Sequence, residues 1–160
     1  MTSTGTAAAI ITPRDGIGYL IASTDGSVYA FGGATGARPS VLNLSGKVVD
    51  GTTDHDHNGY WTVTSTGKVI GGGDSPAGGS ADGLTLTKPI VGIAPSGDGG
   101  YWLAGADGGI FAYDGAGFYG STAAMALNAP IVDIATTGNG YYLVGSDGGV
   151  FSYGSAMFYG

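Results

Sequence analysis

One unit of about forty-one residues recurs four times along this 160-residue chain, and the recurrence limits the available folds more than any other feature. The segment from Ile90, IVGIAPSGDGGYWLAGADGGIFAYDGAGFYG, returns from Ile131 as IVDIATTGNGYYLVGSDGGVFSYGSAMFYG. Tyr19, Tyr60, Tyr101 and Tyr141 hold the phase at spacings of 41, 41 and 40. Asp25-Gly26, Asp107-Gly108 and Asp147-Gly148 hold it as well, with Thr66-Gly67 in that place in the second copy. Such a chain stacks similar units, each resting on its neighbours.

Within a unit the pattern is that of short strands. Ile90 to Ala94 is an apolar run closed by a Pro/Ser/Gly/Asp turn, and Tyr101 to Ala104 is a second strand. Ala106-Asp107-Gly108-Gly109 is a hairpin signal, because Asp-Gly and Gly-Gly accept the positive φ of tight turns. Ile110 to Tyr113 reads as a third strand and Phe118 to Ser121 as a short fourth, the accounting of a propeller blade. Tyr101 and Leu103 point to one side of their strand, and Trp102 and Ala104 to the other. A strand apolar on both faces belongs to a sheet wedged between two others.

The expected fold is therefore all-β: a four-bladed β-propeller forming one domain over 1–160. Its repeats run approximately 7–47, 48–88, 89–129 and 130–160, with residues 1–6 completing or latching the last blade. Two alternatives stand beside it. One is a fragment of a larger propeller that closes by oligomerisation. The other is a β-solenoid of aromatic hairpins, against which the weak half-period similarity counts. Composition agrees with strands and turns. There are 34 glycines without a Gly-X-Y period, and neither Glu nor Gln, two of the better helix formers.

Charge narrows the partners. The net charge is −7, and the five basic residues Arg14, Arg38, Lys47, Lys68 and Lys88 are scattered, which argues against nucleic acid and against anionic lipid. No apolar run approaches the ~20 residues of a membrane span, and no signal peptide is visible in Met1 to Ala9. The absence of Cys rules out disulfides and thiolate metal sites.

The phrase Gly-Tyr-Trp-Leu-x-x-x-Asp-Gly-Gly-Ile-Phe-x-Tyr, followed by Phe-Tyr-Gly-Ser, resembles tandem repeats of secreted or surface proteins of actinobacteria. The match is strong across Ile90 to Gly160, weaker from Ile10 to Gly36, and weakest from Val48 to Asp74. Thr24-Asp25-Gly26-Ser27-Val28-Tyr29-Ala30 is similar to blades of quinoprotein-type propellers. The first resemblance implies an extracytoplasmic accessory or adhesion module, secreted or at the cell surface. Neither brings a set of functional residues.

Three groups of residues are candidates for chemistry. Asp54, Asp56 and Asn58, in Asp54-His55-Asp56-His57-Asn58-Gly59, match the opening of many calcium loops. Ser65 and Thr62 stand where such loops add further acidic ligands, so a polar hairpin turn is the competing reading. His55 and His57 share a face on an extended strand and suit a transition metal or a solvated turn. Leu20, Trp61, Trp102 and Tyr142 occupy one repeat position, where aromatics either stack a sugar or pack blade against blade. Tyr119 and Tyr159, nearer the outer edge, are candidates for exposed contact. No Gly-x-Ser-x-Gly elbow is present, and Gly73-Asp74-Ser75 lacks the Gly-Gly of a protease nucleophile segment.

The expected function is a non-enzymatic, lectin-like binding or adhesion module for carbohydrate, cell-wall material or a protein. It needs no cofactor, calcium aside. It is a monomer if the ring closes and a homo-oligomer if it does not. The rivals are a structural scaffold or oligomerisation propeller and, further off, an Asp-dependent glycoside hydrolase.

Overall fold

The computed structural model describes residues 5–38, 41, 43–54 and 58–160. Twelve strands form four antiparallel sheets, one per repeat. The first holds β1 (Ala7–Ile11), β2 (Gly18–Ser23) and β3 (Val28–Gly32), and the second β4 (Val48–Thr53), β5 (Tyr60–Thr64) and β6 (Val69–Gly72). The third holds β7 (Ile90–Pro95), β8 (Tyr101–Gly105) and β9 (Ile110–Tyr113), and the fourth β10 (Ile131–Thr136), β11 (Gly140–Gly145) and β12 (Val150–Gly154). In each sheet the strands follow chain order. The inner strands β1, β4, β7 and β10 pack side by side in that sequence. This is an all-β array of four propeller blades.

The hairpins form where the Asp-Gly phase places them. The Asp25, Asp107 and Asp147 carboxylates each accept the backbone N–H two residues on, at 3.0 Å. The glycine between takes φ of +85°, +77° and +85° at Gly26, Gly108 and Gly148. In the second blade the Thr64 hydroxyl accepts from Lys68 N at 3.0 Å instead.

The fourth strand is a correction. Beyond β9 the segment containing Phe118 to Ser121 is irregular, and side chains bond to backbone groups of Gly117, Tyr119 and Gly120. Tyr119 N–H donates to the Tyr141 hydroxyl (3.2 Å), which itself donates to the Gly120 carbonyl (2.6 Å). In blades 2, 3 and 4 a tether from the middle strand holds the outer segment. Trp61 Nε1 donates to Pro76 O, Trp102 Nε1 to Gly117 O and the Tyr142 hydroxyl to Met157 O, always fifteen residues on. Among the described residues the first blade alone has a trace of a fourth strand, the bridge Val28–Arg38.

Blades meet through one repeated junction. The first N–H of an inner strand donates to the hairpin carbonyl of the preceding blade: Val48 to Thr24, Ile90 to Ser65 and Ile131 to Ala106, at 2.9–3.1 Å. The marker tyrosine donates its hydroxyl back across the junction, Tyr60 to Gly36, Tyr101 to Gly79 and Tyr141 to Gly120, at 2.6–2.7 Å. Its ring lies on the middle strand of the preceding blade, Tyr101 against Trp61 (4.7 Å) and Tyr141 against Trp102 (5.0 Å). Three apolar clusters result, one for each of the junctions 1–2, 2–3 and 3–4. At the first junction Arg38 adds to the apolar cluster. Its guanidinium lies 5.6 Å above the Tyr60 ring and donates to the Gly26 and Gly71 carbonyls and to the Thr62 hydroxyl.

No such cluster joins the fourth blade to the first among the described residues, and β10 and β1 do not lie against each other as the other inner strands do. The expectation that every blade is covered on both faces therefore holds at three junctions and fails at the fourth. Gly5 and Thr6 lie against the first blade's own hairpin, where Thr24 N donates to Thr6 O (2.8 Å). Residues 1–4, on which the rest of the latch expectation falls, lie outside the described residues.

Candidate functional site

Trp61 and Trp102, both 1 % exposed, are sealed inside the blade junctions, with their indole N–H groups bonded within their own blades. Of the two readings of this position, burial selects blade-to-blade packing for Trp61 and Trp102 and leaves neither face open to stack a sugar. Tyr142, at the same repeat position, is half-buried because no blade covers the far face of the fourth sheet in this chain.

Tyr119 does present a surface. Its ring is 38 % exposed and held in place by Trp102 (6.2 Å) and Tyr141 (6.1 Å). Beneath it runs the backbone at Gly154, where a Cβ would fall 2.8 Å from the ring, so only glycine allows the approach. Phe118, largely exposed, continues the apolar surface, and Tyr153 lies tilted against Tyr141 behind it at 5.6 Å. The result is a rigid aromatic shelf at the end of the array where the turns between first and middle strands lie. Tyr159 occupies the Tyr119 position one repeat later and is 85 % exposed.

At the opposite end, three open clefts of about 350, 340 and 430 Å³ recur beside the hairpins of blades 1, 2 and 3. Each lies between a hairpin turn and the linker to the next blade: Asp25 with Lys47, Thr66 with Lys88, and Asp107 with Asn128. Leu84 and Met125 stand exposed at the rims of the second and third.

The calcium candidates are divided. The Asp54 carboxylate is buried and accepts from the Ser75 hydroxyl at 2.7 Å, while Asn58 is exposed. Asp56, His55 and His57 lie outside the described residues. Among the described residues no three His or Asp side chains gather as a metal-ligand set.

Sequence reading missed an acidic pair near the axis. Asp50 in β4 and Asp133 in β10 share one repeat position, just past a β-bulge in the inner strand, and the third blade has Gly92 there. The Asp50 carboxylate accepts from Gly51 N (2.8 Å) and from Ile93 N of the next blade (3.0 Å). Asp133 reaches over Gly92 from the other side. The signal was present in the aligned phrases Val-Val-Asp and Ile-Val-Asp, but the phase alone does not show which strand is innermost. Burial raises the Asp50 carboxyl from 3.8 to about 6, the two N–H donors opposing this and the Asp133 charge adding to it.

A pH dependence follows from that shift. Folding tightens the hold of Asp50 on its proton, so its stabilising contribution is complete below the ordinary carboxylate range and is lost as pH rises through about 6. Urea midpoints of the wild type should decline between roughly pH 4 and 7, by roughly 2 kcal/mol in unfolding free energy. In Asp50→Asn this portion of the decline should vanish, and an unchanged profile would show that another group is responsible.

No protein-family model matches the chain, and no curated protein matches it. Solved structures do. A protein of unknown function from Bacteroides thetaiotaomicron superposes with a TM-score of 0.62 at 15 % identity, over 94 % of this chain and 48 % of that one. The β-propeller domain of Cps50 (Swd1) from Myceliophteria thermophila gives 0.62 at 11 % identity, over 96 % and 55 %. The fold is that of a β-propeller. The computationally designed Ika4 protein gives 0.63 at 13 % identity, over 96 % of this chain and 93 % of its own. This chain thus spans about half of each of the first two. No helix among the described residues is long and apolar enough to cross a membrane.

Proposed function

We propose that this chain is a binding module without a catalytic step of its own, that its contact surface is the shelf around Tyr119, and that its ligand is a polysaccharide, cell-wall material included, met outside the cytoplasm. The observation that carries the reading is the half-exposed Tyr119 ring, fixed by two aromatic neighbours over Gly154. A preorganised ring loses little freedom when the apolar face of a sugar settles on it. The resemblance of Ile90 to Gly160 to secreted actinobacterial repeats supports the class of ligand and the location.

Affinity electrophoresis through gels containing soluble polysaccharides, with pull-down on insoluble cell walls, tests the reading. The wild type should be retarded, and Tyr119→Ala should bind about fivefold more weakly, since one stacked ring contributes roughly 1 kcal/mol. Undiminished binding by that variant would move the site elsewhere, and no retention of the wild type on any polysaccharide would end the carbohydrate reading. The two uncovered end faces favour a second reading, a scaffold that joins chains through its blades.

A further inference from the structure

The two ends of the array expose opposite halves of the junction that the chain makes three times internally. On the first blade, Tyr19 is 41 % exposed, whereas its counterparts Tyr60, Tyr101 and Tyr141 are at most 1 % exposed. Ile10 is 64 % exposed, whereas Ile93 and Ile134 in the same repeat position are buried. On the fourth blade, Val150 is exposed where Val28, Val69 and Ile110 are buried, and Val144 is half-buried where Ala22, Val63 and Ala104 are fully so. The side chains named on both faces are uncharged, and apolar surface of this extent marks a contact site.

The match between the ends is closer than a shared repeat requires. At junction 3–4 the donor is Phe118-Tyr119-Gly120, and it meets Tyr141, Tyr153 and Gly154 of the next blade. The fourth blade repeats the donor as Phe158-Tyr159-Gly160. The first blade repeats the receiving side in its residues: Tyr19 pairs with Phe31 (5.1 Å, stacked) where Tyr141 pairs with Tyr153 (5.6 Å, tilted), and Gly32 stands in the place of Gly154, a position with positive φ in all four blades. Junctions 1–2 and 2–3 lack the Phe-Tyr-Gly donor, and each lacks one part of the receiving set: blade 2 has Gly72 where the second ring stands, and blade 3 keeps the ring pair Tyr101–Tyr113 (5.8 Å) but has Asp114 in place of the glycine.

We infer that a second copy of this chain docks head to tail on these faces, its first blade seated on the fourth blade of the first copy. The reciprocal contact closes the pair into one ring with twice the four blades of a single chain. At each new junction the Tyr19 ring lies on Tyr142 and its hydroxyl donates to the Gly160 carbonyl. Tyr159, left exposed in the single chain, lies over Gly32. The interface continues the core between blades and so has the apolar character of obligate assemblies.

Light scattering on the full chain from about 1 to 100 μM tests this. The expected mass is that of two chains. Ile10→Lys and Val150→Lys, on opposite faces, should each give single chains, because each spoils both contacts of the ring. Met125→Lys, on the rim of a hairpin-end cleft, should leave the pair intact. Mixing the first two variants should recover a weaker pair, since one contact then joins two intact faces. Emission from the buried Trp61 and Trp102 reports whether each variant is folded, and Tyr19→Ser probes the first-blade face should Ile10→Lys fail to fold. A wild type of single-chain mass throughout, growth beyond two chains, or a folded Val150→Lys that still pairs would each overturn the head-to-tail ring.

Discussion

Replacing Trp102 by Ala is expected to lower the unfolding free energy by about 3–5 kcal/mol, a large part of what a domain of this size possesses. The indole is buried at junction 3–4, touches the Tyr141 and Tyr119 rings at 5.0 and 6.2 Å, and donates to Gly117 O at 2.7 Å. Truncation opens a cavity between two blades, takes away both ring contacts and leaves the outer segment of the third blade without its tether. The chain supplies its own controls. Leu20 fills the same repeat position in the first blade and is buried, so Trp102→Leu should lose about half as much. Tyr142→Ala, at the half-covered end of the array, should cost about 1 kcal/mol in single chains. Urea denaturation of the three variants gives the order, and equal losses at positions 102 and 142 would contradict the difference in burial.

The second large effect concerns a residue with no side chain. A glycine precedes the marker tyrosine in every copy, as Gly18, Gly59, Gly100 and Gly140. In each blade the turn that leaves the third strand crosses directly over it. A Cβ on Gly100 would lie 2.2 Å from the Tyr113 carbonyl oxygen and 2.6 Å from that of Asp114. Both are backbone atoms, so the clash cannot be relieved by a rotamer change, and the outer segment must move away from the sheet. Gly100→Ala should therefore destabilise by about 3 kcal/mol or more, at the upper end of overpacking effects. Gly83→Ala is the contrast: nothing lies within 4 Å of a Cβ there, and its stability should be unchanged or slightly raised. Similar losses at both positions would mean that the Gly-Tyr pairing reflects general glycine chemistry and not the crossing backbone.

The Gly-Tyr pairs, the Asp-Gly hairpins and the alternation of Tyr101-Trp102-Leu103-Ala104 made the three principal strands of each blade legible in the residues, because each expresses a local rule. Turn chemistry places the hairpin, and period two assigns each side chain to a face. The observed β9 has the expected bounds, and β7 and β8 each run one residue further. What was not legible depends on distances between repeats. Phe118 to Ser121 has strand-forming residues, yet the Trp102 tether and the Tyr141 hydroxyl occupy the backbone groups that a fourth strand would pair. Closure likewise depends on the rotation from one blade to the next, which no single residue expresses. Arg38 over Tyr60 and Asp50 beside Ile93 are contacts across junctions, invisible to a reading that treats each copy separately. Of the candidate site residues, Tyr119 stayed at the surface while Trp61 and Trp102 were taken into the junctions, although all three are aromatic residues of the repeated unit.

The blades cover one another inside the chain and leave the outer faces of the first and fourth open. Thiol labelling tests this most directly, because the native chain has no cysteine. Ile10→Cys and Ile93→Cys place one thiol at the same repeat position, 64 % exposed in the first blade and 3 % exposed at junction 2–3. Diluted until light scattering shows single chains, the first should react at the rate of a free thiol and the second only as fast as the array opens, slower by about a thousandfold or more for a domain of ordinary stability. Equally slow labelling of both in single chains would show that the fourth blade already covers the first, and would contradict the open junction.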